Sequence, residues 1–353
     1  MNDLIAELKQ LRLAGERAAL ATIVETAGST PGKEAMKLLV KEDGTFVGTV
    51  GGGCLEAEVY ESARAVIEGA APRLLQFKLN ERDYPDSGLL CGGIVTVFVE
   101  SVDEPASTFE RLLQLRDAGI AAARMTAIGE IPRGLGRSRV IARDGTDLGN
   151  LRHASIDQLL FTAADHAMRA DRPERLTVTI PGNAPFDIFV EPMTLPLILI
   201  FGGGHVSGAI AKVARFSDFR IIIIDDREMF ATRERHADAD QTIHTNWEEG
   251  VRRFAPAKDA RCIVVTRGHH DDERVLREMY HCNYDPPYLG MIGSRTKQKL
   301  VFDKLRAAQV SETFINKIKT PIGLDIGART HAEIAISVAA ELIQRRRIAT
   351  NHL

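Results

Sequence analysis

The sequence predicts an α/β protein in two parts: an N-terminal duplicated α/β module over residues 1–193 and a C-terminal Rossmann-like parallel-sheet domain over 194–353. Three observations carry this prediction. Two stretches before Pro192 share one strand–turn–strand pattern. A continuous apolar run, Leu197-Ile198-Leu199-Ile200-Phe201, leads straight into three glycines. Beyond it, apolar runs and helical patterns alternate, as in a parallel sheet whose crossovers are helices.

The duplication spans about residues 18–100 and 121–191. AALATIVE and KLLVKEDGTFVG in the first copy correspond to AAARMTAIG and SRVIARDGTDLG in the second. Asp43-Gly44-Thr45 and Asp144-Gly145-Thr146 are hairpin-type turns, and each copy closes on an alternating strand, VTVFVE at residues 95–100 and FDIFVE at 186–191. The copies differ where chemistry can sit. The first carries Gly28-Ser29-Thr30-Pro31, then Gly51-Gly52-Gly53-Cys54-Leu55-Glu56, then Cys91-Gly92-Gly93; the second has Asn150-Leu151-Arg152-His153 in place of the triple glycine and no cysteine. Cys54 precedes a helical pattern (Leu55, Val59, Ala63, Val66), and a thiol at a helix N-terminus is favoured as thiolate by the macrodipole. Cys54 and Cys91 are therefore candidate sulfur ligands or sulfur relays, against the commoner fate of an inert buried cysteine, which is the expectation for Cys262 and Cys282.

In the second part, Gly202-Gly203-Gly204-His205 joins the first apolar strand to a helical pattern, and a second strand, Ile221–Ile224, ends on Asp225-Asp226. Such a turn offers backbone N–H groups and a helix N-terminus to a pyrophosphate, and the acid is placed to bond a ribose. Ser207 stands at the third glycine position of the fingerprint. Further strands at Arg261–Thr266 and Tyr288–Ile292, with a short one at Gln241–His244, would bring Arg267, His269, Asp272, Gly293, Ser294 and Arg295 to the same rim. Arg295 and the Gly293–Ser294 amides suit a phosphate. His269 and Asp272 suit a metal or proton transfer, with helix capping the equal alternative for Asp272. Thr330-His331-Ala332-Glu333 has capping-box spacing before a final helix.

Composition removes several classes. Basic and acidic residues nearly balance, 45 against 48, so the chain has no general attraction for nucleic acid. The four cysteines form no CxxC pair, which excludes a zinc ribbon and a small disulfide scaffold and suits a reducing compartment. No apolar run nears the ~20 residues that span a bilayer, and the N-terminus reads as a charged amphipathic helix rather than a signal. A cytoplasmic protein with no membrane partner is the expectation.

In these motifs the chain resembles the XdhC/CoxI family, accessory factors for xanthine dehydrogenase and related molybdenum hydroxylases. The resemblance rests on Gly28–Pro31, Gly51–Glu56 and Cys91–Gly93 at the front. At the back it rests on the Gly202 loop, Asp225-Asp226-Arg227, Thr266–His269 with Asp272, Tyr288–Arg295, and Pro321–Ala328 with Glu333-Ile334-Ala335. It implies binding of molybdenum cofactor (molybdopterin or its dinucleotide), help with its sulfuration, and delivery to an apo molybdenum hydroxylase. A homodimer and a cysteine desulfurase partner are implied too, and a cofactor-delivery chaperone rather than a turnover enzyme. In that role Cys54 or Cys91 would contact molybdenum or relay sulfur, while Gly51–Gly53, Gly202–His205, Asp225, Asp226, Arg267, His269 and Gly293–Arg295 would hold the cofactor. Two departures stand out: the loop after the Gly28–Pro31 motif is shortened to Gly32-Lys33-Glu34-Ala35-Met36, and His331 replaces the family's usual proline. The competing expectation is an NAD(P)-binding oxidoreductase built on the Rossmann-like domain.

Overall fold

The computed structural model describes residues 4, 7–8, 10–11, 14–79, 92–102, 106–118, 120–193, 195–257 and 259–348. The chain divides into two compact units, Met1–Thr194 and Leu195–Leu353.

The first unit is a duplication. Strands β1 (Ala18–Ala27), β2 (Lys37–Lys41), β3 (Phe46–Gly48), β4 (Arg73–Lys78) and β5 (Ile94–Ser101) form an antiparallel sheet ordered β3-β2-β1-β5-β4, with helix α1 (Gly53–Ile67) between β3 and β4. After α2 (Ala106–Ala118), strands β6 (Ala122–Ile128), β7 (Ser138–Ala142), β8 (Asp147–Gly149), β9 (Glu174–Val178) and β10 (Phe186–Pro192) repeat the order as β8-β7-β6-β10-β9, with α3 (Ala154–Ala170) in the place of α1. Each helix lays an apolar stripe on its own sheet: Leu55, Val59, Ala63 and Val66 in α1, Ile156, Leu160, Ala163 and Ala167 in α3. Sequence periodicity does not announce β4, β9 or α2.

The opposite faces of the two sheets meet symmetrically. Leu20 pairs with Glu100 in one register and Arg124 with Glu191 in the other, so Glu100 and Glu191 are equivalent positions. Their neighbours Phe98 and Phe189 pack with Val24 and Ile128 in one cluster. Each glutamate then pairs with a cation of the other half. Arg124 donates twice to Glu100, at 2.8 Å from each nitrogen, and Lys37 pairs with Glu191. Leu4, Leu8 and Leu11 close a further cluster with Phe109, Leu112 and Leu115.

The second unit has strands β11 (Leu197–Phe201), β12 (Arg220–Asp225), β13 (Gln241–His244), β14 (Arg261–Val264) and β15 (Leu289–Met291), all parallel and ordered β13-β12-β11-β14-β15. Ile198, Ile200, Ile221 and Ile223 pack on α4 (His205–Phe216) and α9 (His331–Ile348). Leu199, Phe201, Ile222 and Ile224 pack on α5 (Trp247–Phe254), α6 (His269–His281) and α7 (Arg295–Ala307), with the short α8 (Glu312–Ile315) beside them. Burial on both faces is why these strands are continuously apolar. The strand order reverses between β11 and β14, and in such sheets ligands bind outside the carboxyl ends of the strands at that reversal. Among the described residues no helix is long and apolar enough to cross a membrane.

Candidate functional sites

The turn after β11 is shaped by contacts that only glycine permits. Gly202 has φ +117°, and a Cβ there would lie 2.2 Å from the Val265 carbonyl oxygen. A Cβ on Gly203 would lie 2.0 Å from the Phe230 carbonyl oxygen. Gly204 is different: a Cβ there would meet none of the described residues within 4 Å. Gly204 caps α4 and Gly268 caps α6 without any side-chain hydrogen bond, which leaves first-turn amides of both helices to an outside acceptor. Ser294 does cap α7, through Lys297 N, with Gly293 before it and Arg295 exposed after it. His205 is exposed at the first position of α4.

The expected ribose ligand, Asp225, has another task. It is fully buried, and its carboxylate accepts from Gly203 N at 2.7 Å and from Arg227 N, Nε and Nη2 at 2.9, 2.9 and 3.0 Å. Burial pushes its pKa up, but the donors from Arg227 and Gly203 outweigh this and hold it below the ordinary value. Asp225 therefore braces the glycine turn from behind. Asp226 receives Arg267 Nη2 at 2.8 Å, and Arg267 Nε also bonds Asp271 at 2.8 Å. Asp272 is not the cap of α6. It is buried, accepts from Thr266 N and Oγ1 at 3.2 and 2.6 Å, and pairs with Lys297. His269 lies against His270, ring centroids 4.1 Å apart, and burial, His270 and Lys304 hold its pKa down. Among the described residues no group of three or more His, Cys, Asp or Glu is spaced to hold a metal ion.

Sequence patterns carry no sign of the supports behind this turn. Arg227 and Arg235 lie 3.6 and 4.5 Å from the centroid of Phe230, and Arg235 Nε bonds the Gly203 carbonyl at 3.2 Å. His236 Nε2 lies 3.1 Å from the Gly203 oxygen and 3.0 Å from that of Phe230. Burial keeps its pKa below the ordinary value. The unfolded chain thus takes up a proton below about pH 6.5 where the folded chain does not, so stability falls as pH drops through that range. Thermal unfolding at pH 7 and at pH 5.5 is expected to show this loss. His236→Gln, which keeps a donor at similar reach, is expected to reduce it; equal losses in both proteins would refute the assignment.

In the first unit three loops converge. A Cβ on Gly93 would lie 2.2 Å from the Ser29 carbonyl oxygen, and one on Gly51 would lie 3.0 Å from Pro31 Cγ. The 28–32, 49–54 and 92–93 segments are thereby locked backbone to backbone. Glu56 reaches back to Thr49 Oγ1 at 2.6 Å and Val50 N at 3.3 Å. Gly52 and Gly53 have φ +77° and +65°, and a Cβ on either would meet none of the described residues within 4 Å. Cys54 is exposed beside them, in the first turn of α1. Cys91 lies outside the described residues. Of the other thiols, Cys262 is buried, which pushes it up to about 12, and Cys282 is raised by burial and by Glu278.

The duplicate provides an internal comparison. Gly48 and Gly149 are equivalent, since their Cβ positions fall 2.3 and 2.2 Å from the carbonyl oxygens of Lys37 and Ser138. Gly52 thus corresponds to His153, and Cys54 to Ser155. His153 caps α3 by accepting from Ser155 N at 3.2 Å, and Arg152 Nη1 donates to Asp147 at 2.9 Å. The second half thus caps its helix with a side chain where the first half has Gly52 and no side-chain cap.

Residues 198–342 match the XdhC Rossmann domain, and residues 11–78 match the XdhC and CoxI family. The chain is 25% identical over 339 residues to a probable xanthine dehydrogenase subunit of Bacillus subtilis (strain 168), covering 95% of each. It is 24% identical to YqeB, an uncharacterized protein of Escherichia coli (strain K12), covering 92% of this chain and 43% of that one. A solved xanthine dehydrogenase structure from Bacillus halodurans shares the fold, with TM-score 0.78 at 23% identity over 98% of this chain and 96% of that one. Two matched domains, in the order that the two units present them, place the chain in the XdhC and CoxI family.

Proposed function

We propose that this protein is an accessory factor that binds molybdenum cofactor as cargo, assists its sulfuration, and inserts it into a xanthine dehydrogenase-type molybdenum hydroxylase. The observation that carries the reading is that each unit holds a glycine-built loop cluster closed from behind and open in front. Among the described residues, nothing lies within 4 Å of a Cβ built on Gly52, Gly53 or Gly204. The cargo is a pterin with a dithiolene and a terminal phosphate, extended to a diphosphate in its dinucleotide form. In this reading the Gly202–Gly204 turn and the uncapped start of α4 receive the phosphate. Cys54 supplies a soft sulfur, either as a contact to molybdenum or as a relay. Each unit makes its own contact with the cargo, backbone groups of the 51–53 loop taking the polar pterin in the first. A cysteine desulfurase is the expected sulfur source, the apo hydroxylase the recipient, and a homodimer the expected assembly.

The nicotinamide reading has the strand order and the glycine turn in its favour. It needs an acid free to bond ribose, and Asp225 is enclosed by four donors of its own chain.

The test is hydroxylase activation with Cys54→Ala. Cys54 is a free, exposed thiol among the described residues, so the unfolding temperature of the variant is expected to match wild type. Activation of the partner hydroxylase is expected to fall at least about tenfold, the scale on which lost metal or sulfur contacts act. Undiminished activation by Cys54→Ala/Cys91→Ala would sink the thiol role.

A further inference from the structure

His205 opens α4 directly after the open Gly204, and His331 opens α9, whose flank packs on α4. Their imidazole rings lie 6.0 Å apart with planes only 2° from parallel. Both side chains are exposed, and their ring contact is with each other. His331 is held from behind: the capping box places Glu333 N 3.2 Å from Thr330 Oγ1 and Thr330 N 2.9 Å from the Glu333 carboxylate, fixing the start of α9. The loop before it is fixed too, because buried Glu341 accepts from Gly323 N and from Tyr288 Oη, both at 2.7 Å.

Two exposed rings held parallel by separate helices are not required by the core, whose apolar contacts lie on the other faces of α4 and α9. Any flat ring parallel to one of them is parallel to both, which is the geometry of aromatic stacking. We propose that His205 and His331 form a stacking platform for a planar heteroaromatic ring carried on the same molecule whose phosphate or diphosphate lies on the Gly202–Gly204 turn. The proposal rests on the phosphate-binding reading of that turn and adds a ring contact one residue away from it.

The test separates ring from phosphate. Inorganic pyrophosphate serves as the ringless probe, and NADH and guanosine diphosphate as ring-bearing probes, with affinities measured on the full chain by calorimetry and, for NADH, by fluorescence. At least one ring-bearing probe is expected to bind about tenfold more tightly than pyrophosphate, on the scale of one stacked base. His331→Ala and His205→Ala are each expected to erase that increment while pyrophosphate affinity stays unchanged. His331→Phe is expected to retain the increment, and His331→Lys to lose it. Retention by Lys but not Phe would mean that charge acts rather than stacking, and would overturn the proposal, as would equal affinities for all probes. Binding of ring-bearing probes to the wild type with no pyrophosphate binding would overturn the phosphate reading alone, leaving the ring contact to stand on the alanine and phenylalanine results. No binding of any probe would overturn both.

Discussion

Replacing Glu100 with alanine is expected to cost the first unit about 3–5 kcal/mol, because it strands the Arg124 guanidinium in the interface between the two halves. The Arg124 side chain is 3% exposed and Glu100 is its bidentate partner. Glu191, the other carboxylate that acts on Arg124, is already paired with Lys37. The cost is a desolvated charge, not a lost attraction, so a second change decides the mechanism. Glu100→Leu combined with Arg124→Met removes both charges and is expected to recover most of the loss, as buried pairs replaced by apolar residues often do. Denaturant unfolding of wild type, single and double variants measures this. A loss under about 1 kcal/mol for Glu100→Ala would show that water reaches Arg124 and that the interface is looser than its contacts imply.

Gly202→Ala and Gly204→Ala are expected to separate fold from function within one turn. Alanine at 202 must adopt φ +117° and place Cβ 2.2 Å from a backbone oxygen that cannot rotate away. Strain and overpacking together are expected to cost about 3–5 kcal/mol. At 204 the backbone has φ −77° and ψ −175°, which alanine adopts freely, and a Cβ meets nothing. That variant is expected to unfold within about 0.5 kcal/mol of wild type. Under the proposed reading of this turn, a methyl group in that open space is expected to weaken phosphate binding while leaving the fold intact. Equal stabilities of the two variants would contradict the close approach of β11 to the loop after β14.

Much of the second unit is legible in the sequence because its determinants are local. Leu197–Phe201 and Ile221–Ile224 are apolar throughout since both sheet faces are covered, and Gln241–His244 falls where the alternation calls for a strand. The box at Thr330–Glu333 needs only residues three apart. In the first unit the matched Asp-Gly-Thr turns and Phe-Val-Glu ends reveal the duplication. What they cannot reveal is that the two glutamates exchange cations across the halves, since that depends on two sheets meeting face to face. Strand β4 escapes a sequence reading because it lies at a sheet edge with only Phe77 buried, so RLLQFK carries little apolar signal. Helix α5 spans only eight residues and contains Gly250. Asp225 is legible as a residue but not as a brace: its carboxylate is consumed by Gly203 N and by a guanidinium two positions along, and no spacing rule expresses that. The parallel placing of His205 and His331 likewise exists only once α9 packs on α4.

Open glycine loops that take molybdenum cofactor should hold it through purification. Molybdenum and pterin content, measured on protein purified anaerobically from cells that make the cofactor, decides this, with the wild type beside Gly204→Ala. Molybdenum and pterin are expected in equal amounts on the wild type, and are expected to be lost from a Gly204→Ala protein whose unfolding temperature is unchanged. A wild-type protein carrying neither, while NAD(P) co-purifies with it, would overturn the cofactor-binding role.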